Sequence, residues 1–96
     1  MILEHAVLPV KGGHGKAFEK AILAARPLIA ATPGFLDMEV RPCVEVPDRY
    51  LLLVWWDKLE AHTHGFRQSA NYVKWREALH RFYEPFPIVE HYEKAL

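Results

Sequence analysis

The residues of this sequence best suited to chemistry lie in its second half, on a predicted helix with a polar and aromatic stripe. Tyr72, Arg76, His80 and Tyr83 follow one another at spacings of four, four and three, so on a helix they share a face. A guanidinium can hold an oxyanion, and an imidazole exchanges protons near neutral pH. The stripe predicts a site for an aromatic or anionic ligand, although the same residue types are common on solvated helix faces.

A second group of candidate residues follows the most hydrophobic segment of the chain. Trp56 ends that segment, and His62 and Phe66 come four residues apart just after it. Placed across from the helix that carries Tyr72, they would close one end of a cavity between a sheet and its helices. Trp56 is expected to pack in the core, line the cavity or do both. His62 is expected either in the site or on the surface, and His64 would point away from it on a helix.

Other kinds of site lack the residues that they need. The six histidines have no His-Glu-x-x-His motif, carboxylate cluster or thiolate partner, so we predict no metal site. The segment 12–15 lacks the glycine and lysine spacing of nucleotide-binding loops. Ser69 is better suited to capping a helix than to catalysis, and Cys43 has no cue for activation. His5 and His91 are expected to face each other in neighbouring strands, as hydrogen-bonded core or interface histidines.

Composition predicts one folded domain over residues 1–96, with 51% hydrophobic and 25% charged residues. Twelve basic residues balance twelve acidic ones, so neither nucleic acid nor an anionic membrane is an expected partner. The longest apolar run, residues 51–56, is far shorter than the roughly 20 residues of a membrane helix. The single cysteine and the lack of a leader-like segment predict a cytoplasmic protein.

The elements that position the candidate residues follow from hydrophobic periodicity. Alternating or β-favourable runs predict strands over residues 2–10, 35–43, 49–57 and 88–93. Apolar residues at helical spacing predict helices over about 15–31, 59–67 and 69–83. Pro27 should kink or weaken the first helix, and Ser69 should cap the last. This order is that of the ferredoxin-like α+β fold, βαββαβ, with an antiparallel sheet and helices on one of its faces.

The third predicted strand is apolar on both sides. One side carries Leu51, Leu53 and Trp55, and the other carries Leu52, Val54 and Trp56. Helices on one face of the sheet can cover only one of these sets. The other set would form an exposed apolar patch larger than soluble monomers usually have. We therefore predict a homodimer that packs sheet against sheet, and the alternative is that loops or the carboxyl tail cover this face.

Two short motifs are more specific than the rest of the sequence. They are Pro33-Gly34-Phe35 and Trp-Asp-x-x-Glu-Ala-His, which runs from Trp56 to His62. With them go Lys11-Gly12, the strand from Tyr50 to Trp56, and the residues Phe66, Ser69, Tyr72, Trp75 and Arg76. On these residues, over nearly the whole chain, the sequence resembles the antibiotic biosynthesis monooxygenase family of dimeric α+β barrel proteins. The resemblance implies a homodimeric barrel built from the fold predicted above.

Members of that family include cofactor-free oxygenases that convert polycyclic phenols or anthrones to quinones, haem-degrading enzymes, and small proteins without known activity. By resemblance to the quinone-forming type, Trp56 and Arg76 match a pocket tryptophan and arginine. Leu52 stands where that type has an asparagine, and His62 where it has a tyrosine. Compared with the haem degraders, Ala6 replaces an asparagine and Arg76 the iron-ligating histidine, so haem degradation is not expected.

The resemblance implies a cofactor-free monooxygenase that oxidises a small or polycyclic aromatic, of phenol, hydroquinone or anthrone type, to a quinone. An electron-rich phenolate or enolate can itself reduce dioxygen, so the protein would remove one proton and hold the anion in a dry pocket. In this hypothesis His62 or His80 is the base and Arg76 stabilises the anion. The substrate would lie against Leu52, Trp56, Phe66, Tyr72 and Tyr83. A metabolite-binding protein, a cofactor-free isomerase and a purely structural dimer are the alternatives.

Overall fold

The computed structural model describes all residues of the chain, Met1–Leu96. The strands are β1 (Ile2–Pro9), β2 (Phe35–Pro42), β3 (Arg49–Trp56) and β4 (Val89–Tyr92), and the helices are α1 (Gly15–Ala30) and α2 (Ala70–Leu79). A π-helical turn, Ala61–Phe66, precedes α2, and a 3-10 turn, His80–Phe82, follows it. The strands form one antiparallel sheet in the order β2-β3-β1-β4. The predicted ferredoxin-like α+β fold is therefore confirmed.

The two ends of α2 differ in how well they were predicted. At its start the hydroxyl of Ser69 accepts a hydrogen bond from the backbone N–H of Tyr72 at 3.2 Å, which is the predicted cap. At its end the α-helix stops at Leu79 instead of near Tyr83. The backbone tightens there to the 3-10 pattern, in which the N–H of Tyr83 donates to the carbonyl of His80, three residues earlier. His80 and Tyr83 thus lie beyond the regular helix.

One face of the sheet packs on the helices and forms the core. On β3 the inward residues alternate with outward ones, and those that are buried are Tyr50, Leu52, Val54 and Trp56. Helix α1 turns its apolar stripe to them, with Phe18, Ile22, Ala25 and Ile29 buried. It continues past Pro27 to Ala30. These contacts fix the strands and helices whose ends surround the candidate site.

On the opposite face of the sheet the two central strands, β1 and β3, are largely apolar and only partly shielded from solvent. Pairing of β1 with β3 sets Leu3 beside Trp55, His5 beside Leu53, and Val7 beside Leu51. We call this surface the open face; none of these six residues is in the buried class. Val7 is 42% exposed. The second apolar face expected of β3 is therefore present on the single chain. No helix of the protein has the length and apolar character to cross a bilayer.

The register between β1 and β4 corrects the expected pairing of His5 with His91. His5 lies opposite Glu90, and Glu4 lies opposite His91, so the two histidines point to opposite faces of the sheet. His91 forms a hydrogen bond with His62 on the helix side, as expected of a satisfied core histidine. His5 lies on the open face, where its Nδ1 is buried without a hydrogen-bond partner. A shift of one residue exchanges the faces of a strand, and hydrophobicity alone did not define this register.

Candidate functional site

A cavity of about 410 Å³ lies between the sheet and the helices, within the size range of small-molecule sites. Six of the residues predicted for the site line it: Leu52, His62, Phe66, Tyr72, His80 and Tyr83. Strand β3 supplies the leucine, and the π-helical turn, α2 and the chain after α2 supply the others. The structure therefore brings the two groups of candidate residues together around one space.

Two of the predicted residues, Trp56 and Arg76, do not line the cavity. Trp56 is fully buried, and its indole stacks on the ring of His62 with the centroids 5.2 Å apart. Trp56 therefore packs against a cavity residue, His62, without lining the cavity itself. Arg76 is exposed on α2. Burial, and to a lesser extent the charge of Arg76, lowers the pKa of His80. Because the α-helix ends before His80, the arginine and this imidazole do not continue one helical stripe into the cavity.

Arg67 is a cavity residue that the sequence analysis missed. In the π-helical turn the N–H of Arg67 donates to the carbonyl of His62, five residues earlier, at 3.1 Å. In an α-helix this N–H would donate to the carbonyl four residues earlier, and side chains five residues apart would point in different directions. The wider turn lets Arg67 line the same cavity as His62 and Phe66. Its guanidinium is a cation available to an anionic ligand.

Glu4 is a second missed residue, a carboxyl on the helix side of β1 that is only 4% exposed. Its Oε1 accepts a hydrogen bond from Nε1–H of Trp56 at 3.0 Å and lies 3.4 Å from Nε2 of His62. Burial raises the pKa of Glu4 to about 7, against the opposing effects of the Trp56 hydrogen bond and the charge of Arg67. Glu4 also lines the cavity, so it exposes to a ligand a carboxyl group that titrates near neutral pH.

His62 lies between Glu4 and His91. Its Nδ1 is 2.8 Å from Nε2 of His91, a hydrogen bond whose direction depends on the tautomers of the two rings. Burial, together with the charges of Arg67 and His91, lowers the pKa of His62 to about 3. Burial and Arg67 also lower the pKa of His91. Both imidazoles are neutral at pH 7, so the contact of His62 with Glu4 is not an ion pair even though its distance would allow one.

Aromatic side chains surround His80 at the other side of the cavity. The ring centroid of His80 is 6.1 Å from that of Tyr72, 6.0 Å from Tyr83 and 4.8 Å from Phe86. Burial raises the pKa of the Tyr83 hydroxyl, and the negative charge of Glu4 adds to this. The phenol of Tyr83 therefore stays protonated and can donate a hydrogen bond to a ligand oxygen.

The arrangement is suited to proton transfer on an aromatic ligand. Flat hydrophobic surfaces enclose the space, a carboxyl and two imidazoles can exchange a proton, and a guanidinium can stabilise an anion. No group of three or more His, Cys, Asp or Glu side chains is arranged to hold a metal ion. The cavity residues can bind a ligand, transfer a proton and stabilise a charge.

Known proteins resemble this chain over almost its whole length. The model of the antibiotic biosynthesis monooxygenase family matches residues 1–78. The uncharacterised protein YczJ of Bacillus subtilis is 45% identical over 93 residues, which cover 97% of this chain and 98% of YczJ. A crystal structure from Bordetella bronchiseptica, described as a candidate antibiotic biosynthesis monooxygenase, is 34% identical with a TM-score of 0.93, covering 99% of this chain and 97% of that one. SnoaB, a cofactor-independent oxygenase from Streptomyces nogalater, is 15% identical with a TM-score of 0.82, covering 99% of this chain and 93% of SnoaB. This last likeness concerns the fold alone.

Proposed function

Since this chain belongs to the antibiotic biosynthesis monooxygenase family, we propose that it is a cofactor-independent monooxygenase. Its substrate is a small or polycyclic aromatic of the phenol, hydroquinone or anthrone type, and its product is a quinone. The observation that carries this proposal is the cavity, where titratable groups and a guanidinium meet aromatic walls. Side chains that only packed the core would not be expected to include these polar groups, because burying a polar or charged group costs free energy.

The proposed reaction on a phenol or anthrone begins with removal of a proton. The resulting anion passes one electron to dioxygen, and recombination of the two radicals forms a carbon–oxygen bond. Loss of water from the peroxide then leaves a carbonyl group. One oxygen atom enters the product, and the other leaves as water with two hydrogens of the substrate. The protein has to bind a flat ring, handle one proton and stabilise an anion.

The roles in this proposal follow the positions of the side chains. His62 and His80 line the cavity as neutral imidazoles that take part in proton transfer. Arg67 takes the role of anion stabiliser that the sequence assigned to Arg76, because Arg67 lines the cavity and Arg76 does not. Tyr83 donates a hydrogen bond to the substrate oxygen. The walls are formed by Leu52, Phe66 and Tyr72.

The proposal includes a homodimer that forms through the open face. Leu51, Leu53 and Trp55 supply apolar area in the middle of the sheet, and burying it would be favourable. The buried, unpartnered Nδ1 of His5 lies on the same face, where a second subunit can supply a polar partner. A cytoplasmic location is proposed from the single cysteine, Cys43.

The test is to incubate the purified protein with anthrones and polycyclic phenols under air and under argon, and to follow quinone formation by absorbance. We expect product only in air, with one oxygen atom from labelled dioxygen in the quinone. Product that also forms under argon would point to an isomerase, and saturable binding without product to a carrier. Either result contradicts the monooxygenase proposal.

A pair of arginine variants separates the site in the structure from the site expected from the sequence. Arg67→Gln should lower kcat/KM by on the order of 10²-fold, because one charge-stabilising donor is lost. Arg76→Gln is the matched control, since it removes the same charge from an exposed position outside the cavity, and it should change kcat/KM by less than about threefold. The reverse order of effects would return the role to Arg76.

A further inference from the structure

Three side chains form a row from the cavity to the edge of the sheet. Oε1 of Glu4 lies 3.4 Å from Nε2 of His62, and Nδ1 of His62 lies 2.8 Å from Nε2 of His91. Glu4 and His62 are buried. His91 is only partly buried and lies on β4, which is an edge strand. The row therefore connects a buried carboxyl to a residue that solvent can reach.

His62 is a weak base for a substrate proton, because burial and the charges of Arg67 and His91 lower its pKa to about 3. Its Nδ1 is hydrogen-bonded to His91, and its Nε2 lies 3.4 Å from Oε1 of Glu4. Glu4 has a free carboxyl oxygen, because the hydrogen bond from Trp56 and the contact with His62 both involve Oε1. Oε2 makes no hydrogen bond within the protein and, unlike Nδ1 of His5, is not a buried unpartnered atom. Since Glu4 lines the cavity, this oxygen is accessible from it.

We propose that Glu4 is the catalytic base of the cavity and that His62 and His91 form a reversible proton relay between Glu4 and solvent. The proposal rests on the proposed function, which requires that a substrate proton be removed. It adds a residue and a route that the sequence and the family resemblance did not indicate.

The relay balances protons over one reaction. The substrate O–H or C–H bond breaks, its electron pair stays on the substrate, and the proton binds Glu4. Rotation of the carboxyl group turns its protonated oxygen toward His62. Glu4 then gives this proton to Nε2 of His62 while, in concert, the Nδ1 proton of His62 moves to Nε2 of His91 and His91 releases its own Nδ1 proton to water. When the peroxide later loses water, a proton returns along the same row. Because the transfers are concerted, both imidazoles are neutral before and after the relay as a whole, and only their tautomers change.

The surroundings of Glu4 suit this role. Its pKa of about 7 lets the carboxyl accept and return a proton near neutral pH. The charged and titratable groups that face it are His62 and Arg67 from the π-helical turn, His91 from β4, and Tyr83 after α2. Arg67 favours the carboxylate, whereas burial favours the acid. Because these two effects oppose each other, both the carboxylate and the acid form of Glu4 are accessible near neutral pH.

The first experiment does not depend on turnover. We would titrate the protein labelled with ¹³C at the glutamate side-chain carboxyls by NMR, and bind 4-nitrophenol, whose absorbance separates phenol from phenolate. We expect one carboxyl that titrates near pH 7 and is missing in Glu4→Gln. The wild type should bind the probe as phenolate and Glu4→Gln should bind it as phenol, with Glu93→Gln, at an exposed position outside the cavity, as the control that keeps the phenolate. Phenolate bound equally by Glu4→Gln, or no carboxyl titrating near pH 7, would overturn the proposal.

The second experiment uses a substrate found to react. Glu4→Gln should lower kcat by on the order of 10²-fold or more. His91→Ala should lower kcat with little change in KM, and added imidazole should restore part of the rate because His91 is solvent-accessible. Wild-type kcat in Glu4→Gln would reject the base while leaving the monooxygenase standing, and an unchanged kcat in His91→Ala would reject the relay. If no substrate reacts with dioxygen, the proposed function fails and the first experiment alone decides the protonation of Glu4.

Discussion

The pH dependence of folding stability gives a direct test of the buried carboxyl of Glu4. Its pKa is about 7 in the folded protein and 4.5 in a solvated chain. Below pH 4.5 the group is protonated in both states and has no effect on stability. As the pH rises from 4.5 to 7, only the unfolded chain loses the proton, so the folded state becomes less stable relative to it. Above pH 7 both states are ionised and the loss stays constant.

The size of this loss follows from the two pKa values. Their difference corresponds to about 3.4 kcal/mol at high pH, of which about 2.5 kcal/mol develops between pH 5 and pH 8.5. Glu4→Gln cannot ionise, yet it keeps a carbonyl oxygen to accept the hydrogen bond from Trp56. The unfolding free energy of Glu4→Gln minus that of the wild type should therefore rise by about 2.5 kcal/mol from pH 5 to pH 8.5.

Urea unfolding followed by tryptophan fluorescence measures this difference, at one ionic strength and one protein concentration because a dimer makes stability concentration-dependent. Histidine titrations common to both proteins cancel in the subtraction. Glu93→Gln, at an exposed position, is the control and should give a flat difference. A flat difference for Glu4→Gln as well would mean that Glu4 ionises as a solvated carboxyl does, and the argument from burial would be wrong.

Three further substitutions test the fold and the dimer. Ser69→Ala removes the cap of α2 and should cost about 1 kcal/mol of unfolding free energy in urea; no loss would mean that the cap does not stabilise the helix. Gly34 has a φ of +92°, so Gly34→Ala should lower the unfolding free energy by at least about 1 kcal/mol. Gly12→Ala, with open space around the added methyl group, should lower it by less. Equal losses for the two variants would contradict the argument from backbone strain at Gly34. Leu53→Asp in the open face should turn a dimer into a monomer by sedimentation velocity, and Leu23→Asp on the exposed side of α1 should not. A wild type that sediments as a monomer at micromolar concentration would refute the proposed dimer.

Most of the fold could be predicted because it depends on local patterns. Strands and helices repeat their buried positions every 2 or 3.6 residues, so apolar spacing, together with β-favourable runs and the proline and glycine residues that end them, located all four strands and both helices. The same alternation contained an unused clue to Glu4, which shares a face of β1 with the buried residues Ala6 and Leu8. A carboxyl on that face has to be buried, and a buried carboxyl outside an ion pair is a candidate functional group.

The rest of the site depends on contacts between distant segments. The register of β1 against β4 places His91 opposite Glu4, so that His91 and His5 lie on opposite faces of the sheet. Strand composition does not define this register when both faces hold a mixture of polar and apolar residues. The π-helical turn brought Arg67 to the face of His62, which 3.6-residue periodicity cannot anticipate. Periodicity therefore determines which residues face inward, but the residues that meet inside are decided only when the sheet and the turns pack together.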